Sequence, residues 1–424
     1  MGTGVEAGME SGATKATEAA EATEATEATE ATEATERSYD VVLFGATGFV
    51  GELTAEYLAE HAPEGCRWAL AGRGHDRLTA LRDRLAARWP HCAALPLLVA
   101  DSEDPASLRA LARSARVVAS TVGPYIRYGE GLVAACAEAG TDYLDLTGEP
   151  EFVDLMYVRY DALARETGAR LVHACGFDSI PHDLGVYFTV RQLPEGVPLR
   201  IDGFVRAGAL ISGGTFASAL SAFGRGREML SAARERRLHE PRPVRRRARA
   251  PLGGPRFSRE TGTWALPLPT LDPQVVVRSA RAIDRYGPDF RYRHFASLKS
   301  LLVALGSTTA VGTGLLAAQV PAVRAWLTGR YKSGKGPSAT LRARSWFSVR
   351  FVGEGGGRRV FTEVSGGDPG YDETAKMLAE SALCLAHDSL PVTSGQVTTA
   401  VAMGDALLDR LRAAGLRFRV AHTN

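Results

Sequence analysis

The sequence predicts an α/β protein: a Rossmann-type doubly wound parallel sheet with a second α+β domain containing a mixed sheet. Three observations carry this. A glycine turn, Gly45-Ala46-Thr47-Gly48-Phe49-Val50-Gly51, stands between an apolar strand pattern and a helical one. Strand-like and helix-like segments then alternate as far as Ala174, as in a parallel sheet with crossover helices. A chain of 424 residues is long for a single core, so two domains are expected.

Tyr39–Phe44 is a short apolar run rich in β-formers and reads as the first strand. The helix after the turn, from Glu52 to Ala59, has its apolar residues at helical spacing. Glycines there let the backbone come close to a pyrophosphate, and the helix start presents N–H groups to it. Arg67–Gly72 reads as the second strand and Asp76–Arg88 as its helix. Leu95–Ala100 is the third strand, with Asp101 and Ser102 at its carboxyl end. Asp104-Pro105 places Asp at an N-cap and Pro at the first helical position. Arg116–Thr121 is the fourth strand and runs into Val122-Gly123-Pro124-Tyr125. A helix through Leu132 to Ala139 leads to a fifth strand, Asp142–Leu146, and Arg170–Ala174 reads as a sixth. Ligands on such sheets gather at strand carboxyl ends, which singles out Thr121–Tyr125, Thr147–Glu149 and Cys175–Pro181.

The second strand decides the dinucleotide. An NAD site places an acid there for the ribose 2′-hydroxyl. No acid follows Leu70 until Asp76, and Arg73 stands where a 2′-phosphate would lie. A guanidinium suits phosphate, so NADP(H) is the expected cofactor. The expected cofactor-binding residues are Gly45, Ala46, Thr47, Gly48, Phe49, Val50, Arg73, Asp101, Ser102, Thr121, Val122, Gly123 and Pro124. As a solvated loop arginine Arg73 would have no such role.

The second domain draws on residues from about Leu199 to Gly366. Leu199–Arg206, Gln274–Ala282, Ser345–Gly353 and Arg359–Val364 alternate like strands, the last two joined by a glycine-rich turn. A helix from Glu373 to Ala386 and a last one from Val401 to Ala414 follow, the latter expected to return to the first domain. The expected boundaries are 1–37 for a tail, 38–195 for the nucleotide domain, 196–390 for a substrate and dimerisation domain, and 391–424 for the returning segment.

Several of these segments carry a family likeness. Gly45-Ala46-Thr47-Gly48-Phe49, Ala71-Gly72-Arg73, Thr121–Tyr125, Tyr143–Glu149 and Gly176-Phe177-Asp178-Ser179-Ile180-Pro181 occur in this order, with Gly366–Tyr371 further on. Together they resemble the saccharopine dehydrogenase-like oxidoreductases, the group that includes the mycobacterial trans-acting enoyl reductases. The likeness covers about residues 39 to 420. It implies a reductase acting on an apolar or carrier-bound enoyl or keto substrate in lipid or polyketide metabolism.

The residues themselves exclude other chemistries. No Tyr-x-x-x-Lys pair is present, since Tyr371 and Lys376 are five apart, and neither a Ser-His-Asp motif nor HExxH occurs. A nicotinamide cofactor carries the hydride, so the protein must orient it, donate a proton and support developing negative charge. Tyr125, Asp178 and Ser179 are the expected catalytic residues, with His182 beside them. Tyr125 equally suits a packed aromatic, and Asp178 and Ser179 a turn capping the next helix. Glu149 suits either a ribose hydroxyl or a helix N-terminus. Three function classes stay open: this reductase, a saccharopine-type amino-acid dehydrogenase, and a non-catalytic NADP(H)-binding protein at a membrane surface.

Composition adds partners and place. The first 37 residues, built on a Glu-Ala-Thr repeat, carry a net charge of −7, so residues 38–424 carry +9 of the chain's +2 total by difference. The repeat has no apolar anchor and should be disordered, and it lacks the form of a secretion signal. Arg225, Arg227, Arg234, Arg236, Arg237, Arg242, Arg245, Arg246, Arg247 and Arg249 crowd one stretch. It reads either as a surface for anionic lipid, a phosphopantetheine carrier or an acidic protein, or as a solvated insertion. Without aromatic interleaving it is not a nucleic-acid surface. Leu301–Val320 holds no charge and is long enough to span a bilayer, but three glycines, four Ser/Thr and a Gln dilute it. It is expected to cover the substrate cleft, form a homodimer contact or dip into a membrane surface. Five scattered cysteines form no CxxC pair, so neither a disulfide framework nor a metal site is expected. Cys175 draws notice only because it adjoins the Gly176–Pro181 loop. A cytoplasmic, membrane-peripheral enzyme follows.

Overall fold

The computed structural model describes residues 37–208, 225–241, 244, 246–300, 306 and 336–423. The acidic tail up to residue 36, Arg242, Arg245 and, apart from Gly306, the apolar segment 301–320 lie outside these residues. Tyr39–Asn424 form one unit.

In chain order the first half comprises β1 (Tyr39–Phe44), α1 (Phe49–His61), β2 (Trp68–Gly72), α2 (His75–Arg88), β3 (Leu97–Val99), α3 (Pro105–Ser114) and β4 (Ala115–Ser120). A single turn, α4 (Tyr125–Tyr128), then α5 (Glu130–Ala139), β5 (Asp142–Asp145), α6 (Pro150–Thr167), β6 (Arg170–Val172) and α7 (Ile180–Val190) follow. All neighbouring strands pair in parallel, in the order β6-β5-β4-β1-β2-β3. Alternation along β1 explains the two layers of helices. Val41 and Leu43 face the cluster containing Ala55, Leu58, Leu78 and Leu81, whereas Val42 and Phe44 face Leu108, Leu111, Leu132 and Phe152. Asp104 caps α3 by accepting the Ala106 N–H at 3.0 Å, as the Asp-Pro pair predicts.

The second half forms a mixed sheet from β7 (Leu199–Ala207), β8 (Arg247–Arg249), β9 (Arg256–Ser258), β10 (Thr263–Pro267), β11 (Asp289–Leu298), β12 (Phe347–Gly355), β13 (Arg358–Gly366) and a C-terminal strand, Arg417–Thr423. The central β7 runs parallel to β11 and antiparallel to β12. Helix α7 lies on β12 and β13 because Gly185 has no side chain: a Cβ there would stand 2.5 Å from the Phe351 ring. Helix α8 (Gly226–His239) packs on α6, so the arginine-rich stretch is partly built into the fold. Arg236 is buried between Asp154 and Glu240, and Arg225, Arg246 and Arg249 pair with Glu151, Asp284 and Asp289. Arg227, Arg234 and Arg237 remain exposed.

One expected strand is a helix. Residues 274–282 fall within α9 (Asp272–Ala282), not in the sheet. The run Val275-Val276-Val277 favours a strand locally, but Asp272-Pro273 opens a helix. Buried Val275, Val276, Ser279 and Ala280 then share one helical face.

After the single turn α10 (Ala339–Arg342) and β13, the long helix α11 (Asp372–His387) returns to the first sheet, against α1, β4 and β5. Tyr57 donates to Glu380 at 2.7 Å, and Arg410 holds Glu380 at 3.2 Å. The C-terminal segment then serves both sheets. Gly395–Val397 forms β14, a seventh parallel strand beside β6, and after α12 (Thr399–Ala402) and α13 (Gly404–Ala413) the strand Arg417–Thr423, β15, pairs with β13. Among the described residues no helix is long and apolar enough to cross a membrane.

Candidate active site

The glycine turn is tied to its neighbours on both sides. Gly45 and Ala46 donate to the Ala71 carbonyl at 2.9 and 3.2 Å, and the Thr121 hydroxyl donates to the Gly45 carbonyl at 3.0 Å. Gly45 has φ +86°, and a Cβ on it would meet Thr121 Oγ1 and Val122 Cγ2 at 2.7 Å. No side chain caps α1, whose N-cap is Gly48. The cradle therefore suits a pyrophosphate at a helix N-terminus, with backbone close enough to touch it.

Arg73 stands exposed just past β2 and makes no ion pair among the described residues. Arg77, which sequence reasoning passed over, folds back over Gly74, the residue after Arg73: a Cβ on Gly74 would lie 3.3 Å from Arg77 Nε. Its place in the first turn of α2, four residues from Arg73, was the available signal. Thr47 and Val50 are half-buried in the turn, Ala46 is buried beneath it, and Gly123 and Pro124 stay exposed past β4. Phe49 is half-buried, edge-on to Tyr371 at 5.0 Å and under Arg342. Asp101 shapes its own turn by accepting the Glu103 N–H at 3.1 Å, with Ser102 half-buried beside it.

Tyr125 is not placed to donate a proton to a substrate. Its hydroxyl is buried, donates to the Ser120 carbonyl at 3.0 Å and accepts the Leu146 N–H at 3.2 Å. Burial pushes the phenol well above its ordinary range. Glu149 accepts the N–H groups of Tyr125 and Ile126, both at 3.0 Å, and so caps α4 rather than meeting a ribose. Tyr125→Phe should lower unfolding free energy by about 1–3 kcal/mol, since it strands a buried carbonyl and N–H, and leave kcat within about threefold. Urea unfolding and steady-state rates check both, and a kcat collapse at unchanged stability would restore a catalytic role.

The loops after β5 and β6 meet. Asp145 is fully buried and accepts the N–H groups of Thr147 and Ala174 at 3.0 and 2.9 Å, while its other oxygen holds His173 Nδ1 at 2.6 Å. Asp178 then lies against Gly148, where a Cβ would come within 2.9 Å of its Oδ2. Its carboxyl is half-buried and makes no hydrogen bond among the described residues. Burial first, and the charge of Asp272 second, push it up to about 7. Ser179 is buried at the N-cap of α7, but its hydroxyl does not cap the helix and has no partner among the described residues. Burial raises the Cys175 thiol well above its ordinary range, which leaves it inert.

Beneath Asp178 is a group that joins the two sheets. His182 Nε2 lies 3.2 Å from Asp272 Oδ1, His294 Nε2 lies 3.6 Å from Asp272 Oδ2, and the imidazoles meet edge to face at 4.8 Å. The Tyr292 hydroxyl shares a hydrogen bond with His294 Nδ1 at 2.8 Å. Burial pushes both imidazoles down to about 3, so they are neutral. Asp272 and His294 escaped sequence reasoning, because only the crossing of α9 and β11 brings them to His182. Phe177 closes one side, between His182 and Phe347 at 5.6 and 5.0 Å.

Comparison with known proteins identifies the family and the fold. Residues 41–172 match the family described as the saccharopine dehydrogenase NADP binding domain. A Mycobacterium tuberculosis protein named trans-acting enoyl reductase is 40% identical over 418 residues, covering 90% of this chain and 97% of its own. The Mycobacterium ulcerans protein of that name is 38% identical over 419 residues, with the same coverage. Saccharopine dehydrogenase (L-Glu forming) of Saccharomyces cerevisiae shares the fold, with a TM-score of 0.51 at 12% identity over 90% of this chain and 99% of that one.

Proposed function

This chain belongs to the saccharopine dehydrogenase-like oxidoreductases, with the trans-acting enoyl reductases, and is an NADP(H)-dependent oxidoreductase; from that premise we propose that it reduces the conjugated double bond of an apolar, carrier-bound enoyl thioester. The observation that carries the reading is Asp178, a carboxyl without a hydrogen-bond partner among the described residues that keeps its proton near neutrality.

When bound, NADPH would supply the hydride for the β-carbon of such a thioester, and the protein must supply a proton to the α-carbon. Asp178 holds that proton on its carboxyl oxygen at the carboxyl ends of β5 and β6, where ligands of parallel sheets bind. Gly45, Ala46, Thr47, Gly48 and Val50 form the pyrophosphate cradle, with Thr121, Val122, Gly123 and Pro124 as its far wall. Asp101 and Ser102 face the same strand ends. Arg73 and Arg77 would hold the 2′-phosphate. The Ser179 carbonyl accepts the His182 and Asp183 N–H groups and so starts α7 beside Asp178, and Tyr125 and Glu149 fix the wall.

A saccharopine-type substrate carries several carboxylates. The group facing Asp178 is another acid, Asp272, whose own carboxyl burial pushes up, and the imidazoles beside it are neutral, so no cation meets a carboxylate there among the described residues. Anions are disfavoured there. NADPH oxidation followed by absorbance should therefore be seen with enoyl thioesters and not in the saccharopine-forming direction, and the reverse result would overturn the reading.

Arg73→Ala should weaken NADPH binding by about tenfold or more through loss of a charge-assisted contact, and NADH binding by less than about threefold. Titration of both dinucleotides by fluorescence decides it, and equal losses would refute the assignment.

A further inference from the structure

We propose that a cationic cavity on the second sheet binds the phosphate and arm of a phosphopantetheine thioester, behind the wall that carries the Asp178 loop; this rests on the thioester reading above. The cavity, of about 450 Å³, lies where the ends of β7, β12, β13, α11 and β15 meet. Arg206, Arg350 and Arg417 line it, as do two acids, Glu363 and Glu373.

Both acids are already engaged. Glu363 accepts from Ser348 at 2.5 Å and from Arg419 at 2.8 Å, and Glu373 pairs with Lys376 at 2.9 Å and accepts the Gly367 N–H at 3.0 Å. Arg417 is exposed and has no ion pair among the described residues, and Arg206 is held over the ring of Trp346. Arg350 lies 3.5 Å from Glu363, so Arg206 and Arg417 are the guanidinium groups left over, which suits a phosphate.

The inner wall differs in kind. Phe347 lines the cavity and is buried behind it, and its ring meets Phe177, the residue before Asp178, at 5.0 Å. Phe347 and Phe177 thus form the wall between the cavity and the loop that carries Asp178. Trp346 adds an apolar surface that is 42% exposed. An anionic head, a slender polar arm and an apolar acyl end meet this order of surfaces.

Isothermal titration of the full-length protein with 4′-phosphopantetheine and with pantetheine, which lacks the phosphate, tests this without turnover. The phosphorylated arm should bind about tenfold or more tightly. Arg206→Ala/Arg417→Ala should abolish that preference and leave pantetheine affinity unchanged, with an unaltered melting curve showing the fold intact. Arg227→Ala/Arg234→Ala, which removes equal charge from the exposed side of α8, should preserve it. Equal affinities in the wild type, or a preference that survives in the cavity variant, would overturn the proposal. Coenzyme A binding more tightly than phosphopantetheine assigns the free coenzyme as the source, and equal binding assigns an arm on a carrier protein. If no enoyl thioester is turned over, the function proposed above fails while these binding results still stand or fall alone.

Discussion

Asp178→Asn should lower kcat for NADPH-dependent reduction by about 10²–10³-fold, the range of a lost general acid, while NADPH affinity stays within about twofold. Asparagine keeps the shape of the side chain and cannot give up a proton. In the wild type, kcat should fall as pH rises through about 7, where the Asp178 carboxyl ionises. Asp272 on α9 faces it, His182 on α7 and His294 on β11 in turn contact Asp272, Tyr292 contacts His294, and both imidazoles stay neutral across that range. The limb should vanish in the variant, and a retained limb would assign the proton elsewhere.

Stability gives the same substitution a second readout of opposite sign. A carboxyl whose folded pKa is raised binds more protons folded than unfolded, so it lowers stability as pH climbs from about 4 to about 7. The Asp178→Asn variant is free of that loss. Melting curves should coincide below about pH 4 and favour the variant above about pH 7. The gap should reach up to about 4 kcal/mol, since a tenfold difference in proton affinity between the folded and unfolded chain is worth about 1.4 kcal/mol. A variant less stable at every pH would mean that Asp178 is a structural carboxylate.

The parallel sheet was legible because its signals are local. Glycine turns, an Asp-Pro helix start and runs such as Arg116–Thr121 each declare themselves within a few residues. β14 did not, since Gly395-Gln396-Val397 is too short for a pattern and is fixed from outside, where Asp161 accepts the Gln396 N–H at 2.8 Å. β11 was legible and overlooked: Phe290, Tyr292 and His294 alternate with more exposed residues along it. Gln274–Ala282 misled because three valines favour a strand, until the Asp272-Pro273 start and the packing of α9 on α7 decide otherwise.

The site divides along the same line. Position relative to strand ends drew attention to Asp178, Ser179 and Arg73, because that rule follows from topology alone. It could not tell Tyr125 from a catalytic tyrosine, since the partners of its hydroxyl, the Ser120 carbonyl and the Leu146 N–H, are backbone groups that any residue supplies. Nor could it join His182 to Asp272 and His294, which stand 90 and 112 residues further along the chain.

Gly51→Ala should raise the Kd for NADPH by about 100-fold or more, equivalent to about 2.7 kcal/mol. The cause is steric. A Cβ on Gly51 would stand 2.1 Å from the Gly45 carbonyl oxygen and 2.9 Å from Ala46 Cα, so backbone rather than a movable side chain must give way. The Gly45 carbonyl also accepts the Gly48 N–H at 2.9 Å and the Thr121 hydroxyl at 3.0 Å, so displacing it opens the whole cradle. Overpacking of this kind also costs about 1–3 kcal/mol of stability, so a lower melting temperature should accompany the lost affinity. Gly65→Ala separates the two effects. Gly65 has φ +82° with open space around it, so alanine there strains the backbone without touching the cradle. It should lower the melting temperature and leave NADPH binding unchanged. Equal loss of affinity in both variants would mean that global stability, and not the close approach of α1 to its turn, governs dinucleotide binding.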